Sequence, residues 1–339
     1  MRLSLFSSKR LAIDLGTANC LVWASGEGVV LSEPSVVAVD SESGKVAAVG
    51  VQAHQMLGRT GTNLIAQKPL KEGVIADFLI CQSMLRYFMD KVLGPARFVR
   101  PEVMVCVPSG ITQVERRAVL EAALSAGAKS AYLIEQPLAA ALGAKLPIEA
   151  PYGSMVVDIG AGVTGAAIVS LGAIVATSTS RVGGSKIDEA IISYLRKNHN
   201  LIIGERMAEE IKIKIGSAVR MGQKKTMEAK GRDAVMGLPK AVSIDSDEVT
   251  EAISGTLGAI IACVKNTLEQ TPPELASDII DRGIIMTGGG SLLSNLDKLV
   301  ASQTGVSASV AEDPMQCVVY GCGIALENIN VWRKAVEAR

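Results

Sequence analysis

Residues 13 to 19 read Ile13-Asp14-Leu15-Gly16-Thr17-Ala18-Asn19, with an apolar run before them and another, Cys20-Leu21-Val22-Trp23, after them. An apolar run that ends on an aspartate, breaks at a glycine and resumes predicts a strand, a tight turn and a returning strand. Residues 153 to 170 repeat the design: Met155-Val156-Val157-Asp158, then Gly160-Ala161-Gly162, then an apolar stretch ending near Val169. The two aspartates lie 144 positions apart, which is too far for a stacked-repeat array and suits two half-molecules that each open with the same hairpin.

Between and beyond the hairpins the pattern alternates strand and helix, an α/β class. Ile75 to Val92 carries a helical apolar stripe stopped by Gly94-Pro95, and Val103 to Val107 is a buried strand. Thr112 with Glu115 predicts a capped helix to Ala126, and Leu133-Ile134 a short strand. Pro137 then opens a helix to Lys145, so Glu135 and Gln136 sit at a strand-to-helix junction, where open α/β sheets place ligands. In the second half, Ser185 to Asp188 reads as a capping signature for a helix to about Lys197. Helices are also expected at 205–219 and 251–268, a polar β-rich stretch at 222–248 and a strand at 283–286. Gly288-Gly289-Gly290 reads as a turn into a helix from Ser291 to Ser302, and a last helix runs from about Val318 to Val336.

Composition removes several classes. The 339 residues are enough for about two domains. Their 34 basic and 34 acidic side chains cancel, so no net field draws the chain to nucleic acid, and 3% aromatic content offers few stacking platforms. The six cysteines never approach CxxC spacing and read as small core hydrophobes. With only His54 and His199, a multi-histidine metal site is excluded and a histidine-centred triad disfavoured. Residues 159 to 180 carry no charge, but their glycines and hydroxyls suit two strands about Gly172 better than a membrane span. Met1 to Arg10 has no continuous apolar region of the kind a secretory signal needs.

A polyphosphate needs backbone N–H groups close by, and only small residues let the main chain approach. Each Asp-x-Gly turn supplies such a place, and hairpins facing across a pseudo-twofold would grip one polyphosphate from both sides. Asp14 and Asp158 would then hold hydrated Mg²⁺ or the attacking water. The Gly288 to Gly290 turn would meet a polar nucleotide edge. Gly160 to Gly165 matches GxGxxG, but the dinucleotide fingerprint requires a helix to follow, and a strand is expected here; no GxxxxGK[ST] loop occurs.

These segments resemble the phosphate-1, phosphate-2 and adenosine motifs of the actin/Hsp70/sugar-kinase superfamily, the third being Met286-Thr287-Gly288-Gly289-Gly290. Within it the chain is similar to the MreB family of bacterial actin homologues over essentially its whole length, through Glu33-Pro34-Ser35-Val36, Val107-Pro108-Ser109-Gly110, Arg181-Val182-Gly183-Gly184 and Pro272-Pro273-Glu274 among others. The resemblance implies an actin-like, duplicated ribonuclease-H-like fold of two lobes and four subdomains around an ATP-Mg²⁺ cleft. Lobe I would take residues 1–145 and 315–339 with a small subdomain at about 33–70, and lobe II residues 146–314 with one at about 182–245. Gly16, Thr17, Ala18 and Asn19, with Gly160, Ala161 and Gly162, would contact phosphate. Glu209, Glu210, Ile211 and Lys212 would face ribose and base, and Gly288, Gly289, Gly290, Ser291 and Leu292 would cover the adenosine. Glu209 and Lys212 alone also fit an i,i+3 surface pair.

The resemblance further implies homopolymeric filaments at the inner face of the bacterial cytoplasmic membrane, working with the cell-wall elongation machinery, and no nucleic-acid partner. Leu3, Leu5 and Phe6 beside Arg2, Lys9 and Arg10 could form a short amphipathic anchor, and Leu93 with Phe98 a second contact, weak for one subunit and multiplied along a filament. Departures from the family bear on catalysis. The family usually has two glutamates before the proline, where this chain has Glu135-Gln136, and Val163 and Gly165 replace a threonine and a glutamate. Glutamine can orient water but cannot accept its proton, so with Gln136, Glu135, Asp158 and Asp14 as the catalytic candidates, slow hydrolysis is expected. A hydrolysis-deficient scaffold and, less favoured for want of an acceptor pocket, a small-molecule kinase are the alternatives.

Overall fold

The strand Arg10–Leu15 turns back as Asn19–Ala24, with Leu15 opposite Cys20, and a third antiparallel strand, Gly28–Pro34, completes a meander. On its other side Arg10–Leu15 runs parallel to Glu102–Val107, which runs parallel to Ser130–Glu135, and Val336–Ala338 closes the edge. The second sheet repeats this plan. Ser154–Ile159, Thr164–Ser170 and Ala173–Ser180 form the meander, and Ile284–Thr287 and Ala308–Val310 add the parallel strands. Strand order is therefore the same in both sheets apart from the extra edge strand. This computed structural model describes residues 9–58, 63–94 and 100–338, so Leu3, Leu5, Phe6 and Phe98 lie outside the described residues.

The period-two alternation of strands explains where the aspartates go. Leu11 and Ile13 face the helices Phe78–Leu93 and Gln113–Ser125 in one core. Met155, Val157 and Ile159 face the helices Gly184–His199 and Ser246–Glu269 in another. Ala12 and Val156 point the other way, into a third core between the sheets, and Asp14 and Asp158 share that direction. The third core is filled by the helices Gln136–Gly143 and Cys317–Glu327. A Cβ on Gly143 would lie 1.7 Å from the carbonyl oxygen of Cys317, and one on Gly321 would lie 1.8 Å from that of Ala139, so the two backbones touch.

A small three-stranded sheet belongs to each half: Val37–Asp40, Val46–Val49 and Leu64–Gln67 in one, Leu201–Ile202, Thr226–Asp233 and Pro239–Asp245 in the other. The capping box at Thr112 and Glu115 forms as the sequence suggests. Three expectations are corrected. Helix Gly184–His199 takes no cap from Ser185, because the carbonyls of Gly160 and Ala161 accept from the Gly184 and Ser185 amides instead. The chain after the triple glycine makes one 3₁₀ turn, Gly289–Leu292, and Ser294 then bridges to Ser217, which delays the next helix to Leu296–Thr304. The last helix stops at Glu327, and the residues beyond supply the edge strand Val336–Ala338. Residues 164–180 are two strands, and among the described residues no helix is long and apolar enough to cross a membrane.

Candidate functional site

The two hairpin turns face each other across a cleft of about 430 Å³. Their carbonyls are held away from it: Gly16 accepts from the Ser35 hydroxyl at 2.6 Å and Ala18 from the Ser35 amide at 2.8 Å. In the matching turn Gly160 and Ala161 accept from the amides of Gly184 and Ser185 at 3.0 and 2.8 Å. Fixing the carbonyls outward leaves the intervening amides inward. Among the described residues the amides of Thr17, Ala18, Ala161 and Gly162 have no backbone or side-chain acceptor, and all four residues line the cleft. Unpaired backbone donors gathered in this way form an anion seat. The turns also touch, since a Cβ on Gly162 would lie 2.5 Å from the Thr17 hydroxyl oxygen, which accepts from the Gly73 amide at 3.2 Å.

Asp14 and Asp158 lie beneath this seat. Burial raises Asp158 to about 7, opposed by the Thr287 hydroxyl on Oδ1, reinforced by the charge of Asp14, and opposed again by the Gln136 amide on Oδ2. Both donors stand at 2.8 Å. Burial likewise raises Asp14 to about 6 against a hydrogen bond from the Cys106 thiol at 3.1 Å. Neither carboxylate pairs with a lysine or arginine among the described residues. Two buried carboxylates without a cation beside a row of anion-seeking amides suit a divalent cation that arrives with a polyphosphate. They are too few to cage a metal alone, and among the described residues no group of three potential ligands occurs.

The third glycine turn closes over Ile159: a Cβ on Gly288 would lie 2.4 Å from the Ile159 carbonyl oxygen, and one on Gly290 2.4 Å from its side chain. Leu292, Met315 and Ile213 form an exposed apolar rim nearby. On the helix Glu205–Ile215, Glu209 and Lys212 share the face turned to the cleft. The i,i+3 surface pair that these two residues also fit is not formed. Lys212 Nζ instead lies 2.9 Å from Asp188, whose carboxyl burial raises to about 6 against the pull of that lysine.

Most sequence-expected residues meet here: Asp14, Gly16, Thr17, Ala18, Asn19, Gln136, Asp158, Gly160, Ala161, Gly162, Glu209, Lys212, Gly288, Gly289, Gly290 and Leu292 all line the cleft. Four side chains point elsewhere. Ile211 is in the core, Glu210 pairs with Lys214 at 2.6 Å, and Ser291 is buried against the Gly288 carbonyl. Glu135 turns outward to Ser109 and Arg116. Leu93 is half-buried against the first core. Val163 fills the space above Gly73, and a Cβ on Gly165 would lie 3.2 Å from the Pro137 ring. Sequence reasoning missed Thr287, Gly73, Asp188 and Cys106. Thr287 was legible as the residue ending a parallel strand beside Asp158, whereas the others arrive from distant elements.

The chain matches the MreB/Mbl protein family over residues 8–334. It is 50% identical over 330 residues to the cell shape-determining protein MreB of Escherichia coli, covering 96% of this chain and 95% of that one. With the cell shape-determining protein Mbl of Bacillus subtilis it shares 47% over 323 residues, covering 95% and 97%. The crystal structure of MreB5 of Spiroplasma citri bound to ADP superposes with a TM-score of 0.91 at 36% identity, covering 97% and 98%. The MamK double helical filament has the same fold, with a TM-score of 0.78 at 21% identity, covering 96% and 99%.

Proposed function

The chain belongs to the MreB/Mbl family, and from that premise we propose that it is an ATP-binding, actin-like cytoskeletal protein whose filaments direct cell-wall growth and rod shape. The observation that carries this reading is the cleft, in which four amides from the two halves of a doubled fold, without an acceptor among the described residues, gather beside Asp14, Asp158 and Gln136. Structures of MreB5 of Spiroplasma citri bound to ADP and, at 35% identity, to AMPPNP support an adenine nucleotide.

In this reading Thr17, Ala18, Ala161 and Gly162 hold phosphate oxygens through their amides. Gly288 to Gly290, with Leu292 and Met315, flank the adenosine, and Glu209 and Lys212 face the sugar. Asp14 and Asp158 fit Mg²⁺ through its waters, and Mg²⁺ when bound neutralises phosphate charge. Gln136 donates its side-chain amide to Asp158, and its carbonyl oxygen would then accept a hydrogen bond from the attacking water. It aims that water and cannot take its proton, so hydrolysis is slow. This same limit supports a second reading, a nucleotide-stabilised scaffold that does not hydrolyse.

Membrane attachment, through the N-terminal residues and the 93–98 segment, is part of the proposal, together with a peripheral place at the cytoplasmic membrane and contact with wall-synthesis enzymes. Negative-stain microscopy and pelleting with and without ATP-Mg²⁺ test the core claim. Filaments that need nucleotide and are lost in Asp158→Asn are expected; a chain that binds no nucleotide and never pellets overturns it. Phosphate release from the filaments separates the first reading from the second. Liposome pelleting with and without residues 1 to 8 tests the terminal anchor, which equal binding by the shortened chain would exclude.

A further inference from the structure

Glu135 and Gln136 are neighbours whose side chains go opposite ways. Gln136 reaches into the cleft and ends on Asp158 of the other sheet. Glu135 is the N-cap residue of the helix Gln136–Gly143, yet its carboxylate caps nothing. One oxygen accepts from the Ser109 hydroxyl at 2.5 Å and the other from Arg116 at 3.1 Å. Arg116 is mostly buried, and its other terminal nitrogen lies 3.7 Å from Glu337 on the edge strand. Ser109 is buried, and its carbonyl accepts from the Thr179 hydroxyl at 3.0 Å. None of Ser109, Arg116 and Glu135 lines the cleft.

A partly buried ion pair adds little net stability, because desolvation offsets most of the attraction; what it supplies is a fixed geometry. That geometry is passed on here. The peptide between Glu135 and Gln136 is planar, and Pro137 restricts the backbone of the residue before it, so Gln136 has little freedom to adjust when Glu135 moves. We propose that Arg116 and Ser109, acting through the Glu135 carboxylate, are positioning residues that set the angle at which Gln136 presents its amide to the cleft. The inference rests on the hydrolytic role proposed for Gln136 and replaces the catalytic role expected for Glu135.

The test is a double-mutant cycle on single-turnover phosphate release, with nucleotide affinity measured separately by a fluorescent ATP analogue. Arg116→Ala is expected to slow release about tenfold, as a small misplacement of a reacting group does, while affinity changes less than twofold. Arg116→Lys should recover part of the loss. In a Gln136→Ala background, Arg116→Ala should cost nothing further. An equal loss in both backgrounds overturns the proposal. The side-chain amide NMR signal of Gln136, identified by its absence in Gln136→Ala, gives a second readout that needs no turnover and no folding-sensitive comparison beyond a matched spectrum. Arg116→Ala and Arg116→Lys should move it, the former to the position of a free amide, and an unmoved signal overturns the proposal. Failure of the wild-type chain to bind nucleotide would instead count against the nucleotide reading, and the NMR readout would still decide this one.

Discussion

Gln136 donates its side-chain amide to Asp158 at 2.8 Å, joining the helix between the sheets to the first strand of the second sheet. Two interactions of Asp158 are thereby defined: a neutral amide on one oxygen and a neutral hydroxyl, from Thr287, on the other. The carboxylate is solvated by dipoles and, among the described residues, balanced by no protein cation, which is the state in which a cation gains most from arriving.

Gln136→Glu places two carboxylates at hydrogen-bond distance, where one proton is shared until the pair ionises. Combined with Val163→Thr, it is expected to raise phosphate release by about 10²-fold through general-base assistance. The rate should climb with pH, since the new group acts only when ionised. A phosphate-release profile across neutral pH checks this, and a flat profile at the parental rate would count against it.

Without ligand, Asp14 at about 6 and Asp158 at about 7 both sit above the ordinary 3.8. The folded chain therefore holds protons that the unfolded chain has already released. The stability these groups contribute is complete below about pH 4 and is lost as pH rises through 6 and 7. Asp158→Asn should raise the ligand-free melting midpoint at alkaline pH by about 2–4 °C, flatten its pH dependence and abolish the shift produced by ATP-Mg²⁺. Scanning calorimetry across the range measures all three.

Glycine substitutions should divide sharply by location. Gly143→Ala and Gly321→Ala drive a methyl into a facing carbonyl and should cost about 3 kcal/mol or more. Gly255→Ala and Gly258→Ala, in the helix Ser246–Glu269, meet open space and should each add about 0.5–1 kcal/mol. Urea unfolding ranks the four.

Lys68, just after the strand Leu64–Gln67, pairs at 2.8 Å with Glu205, the first residue of the helix Glu205–Ile215, an exposed link of modest worth between the two halves. Lys68→Ala should speed nucleotide release about two- to threefold at low ionic strength, and the difference should vanish at high salt. Stopped-flow release of a fluorescent nucleotide reads both conditions.

How much of this was legible follows from range. The hairpins at Asp14 and Asp158 are local patterns, and period-two alternation alone puts both carboxylates on the faces that meet. Glu209 and Lys212 sharing a helix face, with Glu210 and Ile211 turned aside, is also local periodicity. What the sequence hid are pairings between distant segments. The cap expected from Ser185 was displaced by the Gly160 and Ala161 carbonyls, and the helix expected at Ser291 was delayed by the Ser217 bridge. Lys212 found Asp188 on another helix, and Glu135 found Arg116. In each case a tertiary partner outcompeted the local signal.

The bare contact of Gly143 and Gly321 with opposing main chain has a mechanical outcome. Two rods pressed together without intervening side chains resist sliding, since any shift drives carbonyls into one another, whereas a small roll about the shared line disturbs few atoms. The joint thus behaves as an axle. Force applied in the crevice would accordingly be passed on as a turn about that line and not as a slide along it.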